Sequence, residues 1–466
     1  MWWTTYTRNS SSGVASVSNP TAGSWSIDYS QLAPPVITFT DLIIRGPNTA
    51  ASSSGNPFGP NHVGNLVYVN GAGTGFTVQR AGISSVAGGI ATFEKSLGTV
   101  GSSGGTGYLG GPARTPGQVM SLALAGNWIF LKTGYYPVGV NTSNVASGKL
   151  APPLTNNSTR REAWFCGYET VRGDYGSMPS IVAVAAATYT VLTMGSGNGV
   201  QLTLIENILV DGGGISGITG VGNGGGTLHK CKIQSCNVNG YTGASASSNI
   251  VSCEVTACTG VAISSVAGVR ISNCYIHDNI GNGVQGTSNP ITLENTVIAN
   301  CIGGTADGFV TTTTQWNMVN CTIHGCGRYG INYAPPNAAV WTTIQNCIFT
   351  GNVNTAIFNS AVADATLIEN CAFFGNGIDV GSNATRVHNK IKLIGLPYNN
   401  AAIGDYSLNT VSGQGSSCRS AGIGPPTQSS YIDIGGVQSL TQQSAATGSS
   451  NIAGPVMGSI IIRSRE

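Results

Sequence analysis

The 466-residue chain is short of charge: its 20 Lys and Arg and 18 Asp and Glu amount to 8%, with a formal net charge of +2, against roughly a quarter in an ordinary globular domain. That scarcity excludes two classes. Binding nucleic acid by counterion release needs a basic stripe, and the sequence has none. A disordered chain combines low hydrophobicity with high net charge, whereas 41% of this sequence is hydrophobic. Long apolar runs are also missing, so no membrane-spanning helix is expected. The start, MWWTTYTRNSSSGVASVSNP, lacks the apolar h-region and small-residue cleavage site of a secretory signal. The expectation is a protein without membrane contact, made in a cytoplasm and left there, or released by lysis.

What is abundant is Gly, with 67 residues, together with Ser, Thr and Asn. Within that background one pattern recurs between Cys231 and Cys371 at intervals of 21 to 26 residues: an apolar stretch, often Asn, then Cys, then another apolar residue. The key column reads Cys231, Cys253, Cys274, Thr296, Cys321, Cys347 and Cys371, and five residues after each comes a second column of Cys236, Cys258, Asn279, Cys301, Cys326, Asn352 and Asn376. Units of this length, rich in β-branched and small residues and without helical periodicity, predict single turns of a parallel β-solenoid. Such a chain has one long core, so the length prior of about three domains does not apply.

Ten of the twelve cysteines fall in these two columns. Free Cys behaves as a small buried hydrophobe, and reduced, stacked cysteines are the expectation. Coils about 4.8 Å apart also fall within disulfide reach, so an occasional bridge stays open. Zinc is the weaker alternative, because a CxxxxC spacing repeated down a solenoid lacks convergent four-ligand geometry. No metal and no cofactor are expected. Asn273, Asn295, Asn320, Asn346 and Asn370 stand immediately before the key column. Asn tolerates left-handed bends, and identical amides stacked on successive coils can form hydrogen-bonded ladders. Both roles are structural.

The chain divides by composition into an aromatic-dotted arm (1–36), a small β-rich domain of alternating strands and Gly turns (37–116), the β-helix with a terminal cap (117–437), and a Ser/Gln/Thr tail ending in MGSIIIRS (438–466). The β-helix is expected to open with a short helix at its start. Its first segment, GQVMSLALAGNWIFLKTGYY, places an I-x-L-K-x-G-x-Y strand after that helix. This resembles the entry of pectin-lyase-like right-handed parallel β-helices. The later segments GDYSLNTVSGQGSSCRSAGIG and YIDIGGVQ resemble the terminal segment of bacterial and phage β-helix proteins. There Asp405, Cys418, Gly422 and Asp433 would close the last coil. The resemblance thus implies an all-β fold and points to virion proteins such as tailspikes, fibres and head decorations, many of which are homotrimers that bind host-surface glycans.

The resemblance carries no catalytic residue across. β-Helix enzymes acting on acidic polysaccharides use clustered carboxylates, calcium ligands or Arg-x-Lys motifs, and this sequence has no Asp-Asp, Arg-x-Lys or Gly-His-Gly. A weak constellation remains in His277, Asp278 and His324, since both histidines stand three residues after the key column, with Arg328, Tyr329, Asp307 and Glu254 as further neighbours. A His with a carboxylate can do general acid–base work; a surface turn is the blander reading. Trp316, Tyr329, Tyr333 and Trp341 are candidate ligand-facing rings, suited to sugar or protein surfaces, with burial as the default reading. The first expectation is therefore a virion structural protein, located on the virion or outside the cell after release. It would contact other virion proteins through the arm, form a homo-oligomer with a trimer favoured, and bind a host-surface glycan. A polysaccharide lyase or glycoside hydrolase on the same fold, and a cellular surface or filament-forming repeat protein, are the alternatives.

Overall fold

The computed structural model describes Trp2–Thr4 and, with interruptions of which 111–126 and 139–160 are the longest, residues 37–437. The rest of the arm, the helix expected before Asn127, Trp341 and the tail from 438 lie outside the described residues. The chain forms two compact units, Met1–Val210 and Asp211–Glu466.

In the first unit, six strands between Ile37 and Gly110 close into an antiparallel barrel. Alternation buries one side of each strand, so that Phe39, Leu42, Ile44, Val67, Val69, Ile83 and Phe93 fill the interior. Gly107 is required there, since a β-carbon would sit 2.5 Å from the Leu42 side chain. The same unit holds parallel strands Asn127–Lys132, Arg161–Tyr168 and Val200–Glu206. Trp2–Thr4 pairs antiparallel with the first of these, Trp3 opposite Phe130, so the arm begins by docking on its own chain.

The second unit is a parallel β-solenoid built from three sheets. Sheet A collects the strands before the key column, from Thr227–His229 to Arg386–His388; sheet B those after it, from Lys232–Gln234 to Ile391–Lys392; sheet C runs from Ser216–Thr219 to Ile378–Val380. Successive coils pair in register, for example Ile276 with Ile298 and Ile298 with Ile323. The corners explain the repeat. Lys230, Ser252, Asn273, Asn295, Asn320, Asn346, Asn370 and Asn389 all adopt positive φ between 47° and 56°, turning the chain from sheet A into sheet B. Asn is enriched there because it tolerates this region best among residues with a side chain. Its amides also form a ladder: Asn320 donates to Asn295 at 3.2 Å, Asn346 to Asn320 at 3.1 Å and Asn370 to Asn346 at 2.8 Å.

A second corner leaves sheet B five residues after the first. Ser235, Ala257, Asp278, Asn300, Gly325, Gly351 and Gly375 adopt positive φ just before the second column. Between the corners only three residues form each sheet B strand, and the middle one points inward. Ile233, Val255, Ile276, Ile298, Ile323, Phe349 and Phe373 are all fully buried, each worth about 1.5–3 kcal/mol of apolar transfer. The key-column cysteines Cys231, Cys253, Cys274, Cys321, Cys347 and Cys371 are buried beside them, and all twelve cysteines of the chain are buried free thiols. Each key-column thiol donates to the carbonyl two residues back, Cys321 to Val319 at 3.3 Å, and Thr296 makes the same bond at 2.9 Å.

The carboxy-terminal segment departs from the expected cap. Asp405, Cys418, Gly422 and Asp433 belong to a stretch that runs back along the outer face of sheet B instead of across the last coil. Ala421 accepts from Asn370, Ile423 exchanges two bonds with Asn346 at 2.9 Å each, Gly435 donates to the Asn346 carbonyl and Gly436 to Thr322. Tyr398, Tyr406, Leu408, Cys418 and Ile434 pack on the outward Val297, Ala299, Ile348 and Ala372. Within the segment, the carboxylates of Asp405 and Asp433 accept from the backbone N–H groups of Ser407 and Ser420. At the end of the coils, the interior position Asp379 is ion-paired to Lys390 at 2.9 Å and Lys392 at 3.2 Å, with Lys390 5.2 Å over Phe373.

Candidate functional site

Where the carboxy-terminal cover stops, the outward side chains of sheet B turn polar. Glu254 and His277 come from neighbouring strands, placed by the pairing of Thr256 with His277. His277 Nε2 lies 3.2 Å from Glu254 and Nδ1 lies 2.7 Å from Asp278. Lys232, one coil earlier, reaches Glu254 at 2.8 Å, and Asn300, one coil later, donates to Asp278 at 2.9 Å. Asp278 stands at a second-corner position with φ 53°. Its place beside His277 is thus imposed by the backbone. Tyr275 stacks on His277 with centroids 3.8 Å apart and meets Tyr406 of the cover edge-on at 6.0 Å.

The electrostatics follow from this row. Burial works against protonation of His277, but its bonds to Glu254 and Asp278 outweigh that and raise its pKa above the ordinary value. The hydrogen bond with His277, reinforced by Lys232, lowers Glu254; burial opposes ionisation of Asp278, and His277 and Asn300 more than compensate. Each ring nitrogen of His277 thus faces a carboxylate, and Lys232 and Asn300 engage those carboxylates from the coils on either side. His324 occupies the same sheet row two coils on, yet it does not join His277 in an open pair. Its Nδ1 bonds Thr350 at 2.8 Å and its ring is met edge-on by Tyr398 and Tyr406, and burial lowers its pKa.

A second constellation lies on sheet C. Asp307, fully buried, takes the Arg328 guanidinium side-on, Nε at 2.9 Å and Nη2 at 2.6 Å, and also accepts from the Tyr329 backbone at 3.1 Å and Asn332 Nδ2 at 2.8 Å. Such bidentate, charge-assisted contacts fix the guanidinium plane. The Asp307 bond raises the Arg328 pKa further. Arg328 lies 4.9 Å from the Tyr329 ring centroid, and Tyr329 stacks on Phe358 at 4.3 Å and 7°. Both rings are half-buried. Asp307, Arg328 and Tyr329 therefore form their own site on sheet C, separate from the sheet B row around His277.

The remaining candidate rings divide. Trp316 and Tyr333, read as ligand-facing, are each 1% exposed and pack edge-to-face at 5.4 Å inside the solenoid, with Phe309 against Trp316. They are core residues, because each shares strand parity with an inward neighbour, Trp316 with Met318 and Tyr333 with Ile331. Trp341 lies outside the described residues. Lys232, Asn300, Asn332 and Phe358 were not among the sequence candidates; each becomes visible once the coil register is known.

The fold has counterparts among known proteins. Residues 214–392 match the family model described as "Right handed beta helix region", and the chain carries a right-handed parallel β-helix. No curated protein matches the sequence. Among solved structures, pectate lyase Pel9A is similar at 13% identity and a TM-score of 0.46, over 70% of this chain and 90% of that one. A catalytic domain of a GH87 alpha-1,3-glucanase, in complex with tetrasaccharides, is similar at 9% and 0.36, over 84% and 97%. The A-module of an Azotobacter vinelandii mannuronan C-5 epimerase is similar at 12% and 0.35, over 56% and 80%.

Proposed function

We propose that this chain is a glycan-binding attachment protein, carried on a particle such as a tailed-phage virion, that holds a host-surface glycan on the sheet C face of its β-helix. The observation that supports this reading is the Tyr329–Phe358 stack, half-exposed and held in place by the buried Asp307 through Arg328, Asn332 and the Tyr329 backbone. A rigid aromatic surface with oriented donors beside it loses little entropy when a sugar docks. Contacts of the arm with other virion proteins, and assembly into a trimer, are part of the same proposal. The test is binding of the full-length protein to an immobilised panel of surface glycans, with light scattering for the assembly state. Binding that is lost on Phe358→Ala and Tyr329→Ala supports the reading, and a wild-type protein that binds no glycan sinks it.

A second reading, polysaccharide cleavage, is favoured by one observation: His277 lies between two carboxylates, 2.7 Å from Asp278 and 3.2 Å from Glu254, and is only partly buried. An imidazolium can serve as general acid. Both carboxylates are engaged, Glu254 by Lys232 and His277 and Asp278 by His277 and Asn300, which weighs against a free base or nucleophile. New reducing ends formed from a polysaccharide by the wild type and not by His277→Ala would establish this reading in place of the first.

A further inference from the structure

The attachment reading leaves open what kind of sugar the sheet C face takes and where on it the sugar sits. Resting on that reading, we infer that the face of Phe358 turned away from Tyr329 is a stacking subsite for an uncharged pyranose unit. Two features of the site lead there.

The first is a missing side chain. Tyr329 is engaged by Phe358 at 4.3 Å and by the Arg328 guanidinium at 4.9 Å. On the next coil the rung beside Phe358 is occupied by Gly381, whose N–H bonds the Ile357 carbonyl at 2.9 Å. A β-carbon at Gly381 would meet nothing closer than Ile357 O at 3.4 Å and Phe358 Cα at 3.8 Å. The stack that begins at Arg328 therefore ends one rung early, leaving a ring face next to a space where every longer residue would place a side chain. Aromatic faces carry negative quadrupolar charge, and the axial C–H bonds of a pyranose present the complementary apolar, weakly positive surface.

The second feature is charge. The Arg328 cation is balanced by the bidentate Asp307 carboxylate, so the face carries no net charge with which to attract a polyanion. Ligands held this way bind with little dependence on salt, unlike those held by unpaired cations.

The test uses the full-length protein, titrated calorimetrically with maltohexaose and cellohexaose as neutral probes and hexagalacturonate as the acidic one, at low and high salt. The variants are Gly381→Leu, which fills the space over the ring, Gly381→Ala, which reaches only its edge, and Phe358→Ala, with melting temperatures checking that each is folded. Expected is salt-insensitive binding of a neutral probe, weakened about tenfold or more by Gly381→Leu and Phe358→Ala and little by Gly381→Ala. Binding that survives Gly381→Leu and Phe358→Ala unchanged, or that is confined to hexagalacturonate and collapses with salt, overturns the subsite while leaving glycan attachment standing. A wild type that binds none of the probes, nor any glycan of the wider panel, overturns both.

Discussion

Replacing Asn346 separates the forces that hold the carboxy-terminal segment on sheet B. The residue is fully buried at φ 54°. Its amide donates to Asn320 and to the Ile423 carbonyl, and its oxygen accepts from Ile423 N–H and from Asn370. Asn346→Gly keeps the left-handed backbone without strain and removes these four bonds. At about 1 kcal/mol each, with Ile423 exposed enough to regain water on its own groups, the loss is about 3 kcal/mol. Asn346→Ala removes the same bonds and adds about 1 kcal/mol for a β-carbon at positive φ. Because coils interact chiefly with their neighbours, the loss should appear as local opening, and about 3 kcal/mol raises the opening constant on the order of a hundredfold. Hydrogen exchange followed by mass spectrometry should show peptides spanning 418–437 losing that much protection in the Gly variant and more in the Ala variant, while the barrel strands 37–110 keep theirs. Unchanged protection of 418–437 in both variants would refute the argument that Asn346 fastens the segment. Equal losses would refute the backbone part of it.

Other consequences can be checked together. Asp307→Ala leaves the Tyr329 N–H and Arg328 without their shared acceptor and should destabilise the surrounding coils by about 3 kcal/mol, the lower end for a broken buried pair because Arg328 is partly solvated; a double-mutant cycle with Arg328→Ala, read by hydrogen exchange at 307–333, should give a coupling above about 1 kcal/mol. The sheet B row should respond to pH in both directions. Its carboxylates contribute fully above their unfolded values of 4.5 and 3.8 and lose that contribution as pH falls through the lowered folded values, while His277 contributes fully below 6.5 and is lost as pH rises through its raised one. The melting-temperature difference between wild type and His277→Gln should therefore peak between pH 4.5 and 6.5, and a difference that grows steadily to pH 8 would contradict the assignment of charges. Cys321→Thr should cost less than about 1 kcal/mol, since Thr296 already fills the same column with the same backbone bond, whereas Cys321→Leu should cost about 1–3 kcal/mol by overpacking; thermal denaturation distinguishes them.

The repeat was readable because one requirement, a small buried group after a left-handed corner, recurs at nearly every coil. The corner itself was only half legible. Asn273 or Asn346 declares it, but Lys230 and Ser252 adopt the same positive φ with side chains that do not advertise it. The second corner was missed, and Asp278 was weighed as chemistry when its position is set by the backbone. For Trp316 and Tyr333 strand parity carried the signal for burial, the default reading of these rings, and the structure buries both. The cover on sheet B also left a trace, for the outward residues change from Lys232 and Glu254 to Val297, Ile348, Ala372 and Phe374 as the sheet passes beneath it. What no local pattern reveals is which segment provides that cover, because Asn346 and Ile423 meet across 77 residues of sequence.

The ion pairs at the last coil bear on whether two copies can join there. A parallel stack ends in strands whose outer hydrogen-bonding groups invite another strand, and two copies could in principle pair through these matching ends. Here the terminal strands carry exposed Arg386 and Lys392, with Lys390 bent inward over Phe373 to meet Asp379. An incoming copy presenting the same rung would set cation against cation and would have to break the Asp379 pairs before any backbone bond could form. The last described coil thus resists pairing with the same rung of a second copy, because an edge that would otherwise accept a strand carries like charge.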